Sequence, residues 1–506
     1  MNNTAFKTYA SENGGRVVIL FLLFLLALYE FCTAGFSAFA IICMLPVLGL
    51  FVIAAFHYSI FTFWMLFAIN YLIQWKDFPA TGIPMSLPNE MLEILLIGLA
   101  IIDVQNAKFH RLGNAMFLGL VIWAVYCTLE VINDTCSLGI QFGSWYTGAR
   151  MMAYQLLYAF IVFTLYISEP KVFIRYLYVW ACFALFAAFW VWKQNYIGLT
   201  TAENAFIMGR GFSTHIINGG STRRLFSIYS DAANFGVGTA ATAVAFVIFG
   251  ITSKIKKQKY FFLITGLACL WAMFPSGTRT ATFCAIAGFG MFVILSKSFK
   301  IAIPAGIILA TFYCILAFTT IGNGNAQIRR MRSGFNKDDA SMSVRSSNQK
   351  VMKKYLAEAP FGIGLGMGMD NVPANNKFRK LAVIPPDSEY VFIWIRTGPI
   401  GLYIFLFTTF IIFVGACWIV MFRLRNSSLR GFGAGFCCAF VAIQLGGYAN
   451  QVLMQFPNCL VFYGGLSIVY SLPWFENEWI AYEEAQIAKQ EEKKRLKLEK
   501  KRQERV

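Results

Sequence analysis

The stretch "VFIWIRTGPIGLYIFLFTTFIIFVGACWIVMF", residues 391–422, decides the fold. Apart from Arg396 it carries no charge, and it exceeds the ~20 apolar residues that take an α-helix across a bilayer. Comparable runs recur along the chain, more than a soluble core could hide, so lipid is the solvent of this protein. Directly before the run stand Asp387, Ser388 and Glu389. A charge at the bilayer centre costs about 2.5–3.5 kcal/mol on insertion scales, so charges at the mouth of a span belong at the interface or in a polar cavity.

The composition agrees. Of 506 residues, 58% are hydrophobic, 17% aromatic and 13% charged, against roughly 45–50% apolar and 25% charged in a soluble domain. In a soluble protein the net charge of +18 would point to nucleic acid. Here basic loops and a basic tail account for it, because Lys and Arg orient membrane spans. Eleven of the twelve cysteines fall in apolar runs and Cys136 has no partner in its loop, so neither a disulfide framework nor zinc spacing emerges. His57, His110 and His215 are too scattered to suggest a metal site. The run from Val17 to Phe31 has the look of a signal-peptide core. A second run from Phe36 to Phe56 follows at once, so the first reads as an uncleaved span.

Spans are expected near 17–33, 36–56, 58–75, 88–104, 114–132, 149–167, 176–194, 232–252, 260–275, 280–296, 301–320, 391–422, 431–450 and 457–474. The fold class is therefore all-α: a polytopic integral membrane protein with 12–14 transmembrane helices. The layout is N-terminal helices over 1–194, a loop over 195–231, central helices over 232–320, a large, partly helical loop over 321–390, C-terminal helices over 391–474 and a charged tail over 475–506. Lys108, Arg111, Lys171, Arg175, Lys254, Lys297, Arg423 and the Lys/Arg-rich tail fall on one side by parity. That bias puts both termini in the cytoplasm and both long loops outside. The 321–390 loop is itself basic, with Arg329, Arg330, Arg332, Arg345, Lys353 and Lys354, and an external basic loop suggests an anionic ligand. The tail mixes Glu and Lys at helical spacing, the pattern of a solvated helix.

Three polar clusters sit at external ends of spans. "GSTRRLFSIYSDAANFG" carries Arg223, Arg224 and Asp231; "PSGTRTATF" carries Ser276 and Arg279; "PPDSEYVFIWIRTGPIG" carries Asp387 and Glu389. Each has a plain structural role open to it: interfacial anchoring for the arginine pair, a loop cap for Arg279, a helix N-cap for Asp387 and Ser388. Together they suggest an anion site with a base beside it. The planar fork of Arg matches phosphate oxygens in a bidentate way, and a nearby carboxylate could accept a proton from a hydroxyl nucleophile. That chemistry requires no metal and no cofactor. The glycine-rich "FGIGLGMGMD", residues 361–370, lacks the flanking strand and helix of a nucleotide loop. It reads as a tight turn that lets backbone approach a ligand or another loop.

These residues resemble the O-antigen ligase and O-antigen polymerase superfamily. Its members carry Pro-x-Gly-x-Gly-like residues in a long external loop, as "APFGIGLGMG" with Gly364 and Gly366 does. Their next span opens with His, then Asn, Ser or Gln, nine residues and Gly-x-x-Gly. Here Asp387 stands at the His position, Ser388 follows, and Gly398 and Gly401 match the glycines. Ser276 and Arg279 resemble a Ser–Arg element at a span start, and Arg224, Phe226 and Asn234 resemble an earlier arginine motif. The motifs cover residues 223–402, and the layout covers the whole chain.

The resemblance implies an inverting, metal-independent glycosyltransferase. It would move a glycan from undecaprenyl diphosphate to an acceptor hydroxyl at the periplasmic face of a bacterial inner membrane. Arg224 and Arg279 would hold the diphosphate, with Arg223 behind Arg224. Asp387 would take the acceptor's proton, with Glu389 as the alternative base; an unperturbed Asp pKa near 3.9 makes a weak base unless its surroundings raise it. Lipid A–core is the first-choice acceptor. A second lipid-linked repeat would make the protein a polymerase, and a protein Ser or Thr an oligosaccharyltransferase. A flippase for the same glycolipid would line its path with charge, whereas the spans read as nearly free of charge at mid-depth.

Overall fold

The computed structural model describes residues 58–77, 86–217, 222–297, 299–321, 340–386 and 388–503, with isolated positions at 22, 49, 53–55, 324, 329 and 332. The expected spans at 17–33 and 36–56 therefore lie outside the described residues but for those isolated positions, as does Asp387. The chain forms two compact units, Met1–Met65 and Leu66–Val506. All three polar clusters belong to the second unit.

Its main helices are α1 (Leu87–Ile102), α2 (Ala115–Leu129), α3 (Phe142–Tyr166), α4 (Pro170–Tyr196), α5 (Ala232–Thr252) and α6 (Lys256–Ala272). They continue as α7 (Arg279–Leu295), α8 (Phe299–Phe318), α9 (Ala340–Leu356), α10 (Glu389–Trp418), α11 (Ser427–Ala449) and α12 (Glu476–Gln503). Among the described residues, seven helical stretches are long and apolar enough to cross a bilayer: 115–132, 142–166, 170–196, 232–252, 256–276, 389–423 and 427–449. Arg279–Leu295 is a shorter apolar helix. The protein is an all-α, polytopic membrane protein. The described strands are one antiparallel pair of two residues each, with Ile216 opposite Arg223. The large loop is partly helical, through α9 and the short helix Arg379–Val383.

Helix α5 is packed by α6, α7 and α11. Lipid gives helices little hydrophobic reason to associate, so close approach through small side chains does it instead. The α11 sequence "GFGAGFCCAF" supplies them: a Cβ on Gly435 would stand 2.4 Å from the Phe249 ring of α5.

Hydrogen bonds sort the connections onto two faces. On one, Lys76 reaches Ser230 O, Asn133 reaches Phe361 O, Asn371 reaches Ser144 and Ser230 reaches Gln455. On the other, Arg111 reaches Ser168 O, Lys254 reaches Glu483 and Glu476 accepts from Asn426 N. The grouping is the one expected from parity, and it gathers the three polar clusters onto the first face.

Helix α10 is broken at Gly398 (φ 67°, ψ −175°), just before Pro399. The carbonyls orphaned there are recapped. Ile395 O and Arg396 O accept from Ile363 N and Gly364 N, each at 3.0 Å, and Thr397 O accepts from the Tyr126 hydroxyl at 2.9 Å. The glycine-rich segment is thus a backbone-to-backbone dock, and what its glycines approach is this protein's own chain. A Cβ on Gly398 would lie 2.1 Å from Pro360 O, and one on Gly366 would lie 1.7 Å from Ser144 O of α3. Gly398→Ala combines a left-handed backbone with that clash, so it is expected to destabilise the protein by about 3 kcal/mol or more. A thermal melt of the purified protein at parental midpoint would show that the dock is not made.

Candidate functional site

The site begins at the N-terminus of α5. Asp231 caps it, its Oδ1 accepting from Ala233 N at 2.7 Å and Asn234 N at 3.0 Å. The Ala232 N–H goes to Nε2 of buried His215 at 3.3 Å. Because Nε2 accepts, the ring proton sits on Nδ1, which lies 3.1 Å from Gly211 O. Burial pushes the imidazolium of His215 down, with Gly211 and Asp231 opposing and Arg224 and Lys76 adding to the shift, so the ring stays neutral.

The N-terminus of α7 lies alongside. Thr278 Oγ1 donates to Ala232 O at 2.8 Å, and buried Ser276 shapes the turn before it by donating to Met273 O at 2.6 Å. Two positive helix ends are thereby paired. Arg224 straddles them: Nε donates to Ser276 O (3.2 Å), Nη1 to Thr214 O (3.0 Å) and Nη2 to Thr278 Oγ1 (2.9 Å). A guanidinium has five N–H donors, so among the described residues one on each terminal nitrogen has no partner. Arg279 is the first residue of α7. Burial pushes the Arg224 guanidinium down; Asp231 opposes this and the Arg279 charge adds to it. Two neighbouring cations, one of them largely buried, favour an anion between them.

The structure unites Arg224, Arg279 and Ser276. Arg223, paired in the strand next door, is exposed, as expected from the alternation of side chains along a strand. Ser388 Oγ accepts from Val391 N at 3.0 Å, so Ser388 is the N-cap of α10. Glu389 is buried, and its Oε2 accepts from Leu453 N at 3.0 Å. That carboxylate is engaged with backbone. Gly364 and Gly366 belong to the dock at Gly398, and Gly401, one turn on, packs against Tyr126 of α2.

Sequence reasoning missed two contributors. One is residues 450–458, which join the clusters: Gln455 accepts from Ser230 Oγ at 2.5 Å, Phe456 O from Asn234 Nδ2 at 2.8 Å, and Gln451 donates to Pro386 O at 3.1 Å. Their signal was the string of Asn and Gln between two apolar runs. The other is Lys76, whose Nζ donates to Ser230 O at 3.1 Å. Charged groups do occur near the ends and within the first turns of the helices. Glu90 pairs with Arg150 at 3.2 Å, and Glu93 is wholly buried in α1, one turn on from Asn89. Clustering on one wall lets these polar groups be sheltered from lipid. Among the described residues, no three His, Cys, Asp or Glu side chains gather as metal ligands.

Ser276, Arg279, the glycine-rich dock and the cap and break of α10 all lie between residues 261 and 406, and that segment matches the family model described as O-antigen ligase. The chain carries an O-antigen ligase domain. No curated protein matches it. The O-antigen ligase domain begins within α6 and ends past the break in α10. Lys76, Arg224, Asp231 and residues 450–458 come from outside it, so the helices flanking the domain complete the site. The match supports the O-antigen ligase superfamily, whose members are glycosyltransferase-like enzymes, for this segment.

Proposed function

We propose that this protein transfers a glycan from undecaprenyl diphosphate to an acceptor hydroxyl at the periplasmic face of a bacterial inner membrane, with lipid A–core as acceptor. The observation that carries the reading is the seating of Arg224 and Arg279 at the paired N-terminal ends of α5 and α7. Helix N-termini and arginine forks both favour phosphate oxygens. In this mechanism they stabilise the diphosphate as it leaves. Asp387, immediately before the α10 cap, takes the proton of the acceptor hydroxyl as that oxygen attacks the anomeric carbon, and the centre inverts. The acceptor oxygen gains the glycosyl bond, and the bond to the diphosphate oxygen breaks. No metal enters this scheme.

A second reading is a repeat-unit polymerase. It is favoured by Asp387 standing where ligases of the family carry His. Glycan analysis of a deletion strain separates the two. Loss of all polymer from lipid A–core, with lipid-linked polymer accumulating, supports the ligase. A single repeat left on the core supports the polymerase, and an unchanged profile sinks both. The proposed orientation puts Glu358, on the loop face, in the periplasm. A membrane-impermeant thiol reagent is expected to label Glu358→Cys in intact spheroplasts of a cysteine-depleted variant. Labelling only after lysis reverses the orientation and removes the periplasmic mechanism.

A further inference from the structure

Lys76 follows the helix Ser59–Leu72 and lies outside the O-antigen ligase domain. One of its three ammonium donors goes to Ser230 O at 3.1 Å. The Nζ stands 4.1 Å from the centre of the Phe206 ring and 5.8 Å from that of Phe226. These rings fix it over the loop that carries Arg224. The charged and titratable groups around it are Asp231, His215 and Arg224, with Asp77 next in sequence and bonded to Thr200. Asp231 acts electrostatically on both Lys76 and Arg224, and His215 feels both cations. All four therefore share one neighbourhood.

Asp231 does not neutralise Lys76 directly. Its Oδ1 accepts from Ala233 N and Asn234 N, its Oδ2 lies 2.9 Å from Ser230 Oγ, and Lys76 takes part in none of the ion pairs among the described residues. A half-buried ammonium that acts on His215 together with Arg224, in none of the ion pairs among the described residues, is an arrangement that an anion stabilises. Two of its donors are directed to no described partner.

We propose that Lys76 is a third cation of the diphosphate site, binding the lipid-linked donor together with Arg224 and Arg279. The inference rests on the diphosphate reading of that arginine pair. It separates Lys76 from the arginines by one property. Burial pushes its ammonium down to about 8, with Asp231 opposing, whereas the arginines stay charged. A group with a depressed cationic pKa is charged below that value and loses its proton above it. Donor affinity therefore falls as pH rises through about 8.

The test is binding of undecaprenyl diphosphate to the full chain in phosphatidylcholine nanodiscs, from about pH 7 to about pH 9.5, where the diphosphate itself remains ionised. The parent is expected to weaken across about pH 8. Lys76→Met is expected to bind about tenfold more weakly near neutral pH and to converge with the parent at the alkaline end. Lys76→Arg is expected to hold its affinity there. Parental binding by Lys76→Met at neutral pH, or a flat profile for the parent, overturns the proposal. So does an equal Lys76→Met effect on the binding of anionic phosphatidylglycerol, since the lysine then serves a lipid headgroup. If Lys76→Met does not fold, the parental profile and Lys76→Arg still decide. Arg279→Ala distinguishes the two levels. Weakened binding in Arg279→Ala with none in Lys76→Met sinks only this inference; parental binding in Arg279→Ala sinks the diphosphate reading itself.

Discussion

Arg279→Lys is expected to lose most glycan transfer while the protein accumulates at parental levels. Lysine keeps the positive charge at the head of α7 and gives up the planar fork. A charge-assisted, bidentate contact differs from a point-charge contact by roughly 1.5–3 kcal/mol, so the loss should be about tenfold to a hundredfold in kcat/KM. Arg279→Ala should be no better. Arg224 is the less direct probe, because its donors hold Thr214 O, Ser276 O and Thr278 Oγ1. Replacing it loosens the turn as well as any ligand. Full transfer by Arg279→Lys would mean that the site needs charge alone, and the diphosphate clamp would be wrong.

Asp387→Asn is expected to insert and fold normally and to lose at least about a hundredfold in transfer, the lower end of what a positioned base contributes. The structure sharpens this test. The cap of α10 is the Ser388 hydroxyl on Val391 N, so the helix keeps its cap when residue 387 is changed. Asp387→His should retain activity, since imidazole is a competent base near neutral pH. Glu389→Gln is expected to act differently. The Glu389 carboxylate accepts from Leu453 N and lies against the backbone amides of Val452 and Met454. An amide brings N–H donors toward donors and should lower thermal stability by about 1–3 kcal/mol. If Glu389→Gln is inactive with an unchanged melt while Asp387→Asn works like the parent, the roles are reversed. If both work like the parent, neither carboxylate is the base.

The solvent and the helical class were legible in the chain itself. Apolar runs of span length admit only structures that satisfy their backbone internally, and helices do so with local hydrogen bonds. Residues 115–132, 232–252 and 427–449 needed no tertiary information to be helices. Parity groups the connections, which is why Arg224, Arg279 and Glu389 could be expected on one face although far apart in sequence. The glycines of 361–370 announced a close approach, because a missing Cβ is visible in a sequence.

What they approach was not visible. The break at Gly398 and the docking of Gly364 N onto Arg396 O depend on where the loop returns in space. The same limit hid Lys76 and residues 450–458. A lone lysine after a helix and a few amides between spans carry no period and no motif, and they become a site only when packing brings Ser230 between them. Glu389 shows the converse. Beside Asp387 it reads as an alternative base, and only the fold reveals that its Oε2 accepts from Leu453 N. Secondary structure in a bilayer is decided locally, because every backbone group must find its partner within the helix. The chemistry of a site is decided by which polar groups the packing leaves for a ligand after the protein's own amides and carbonyls are satisfied.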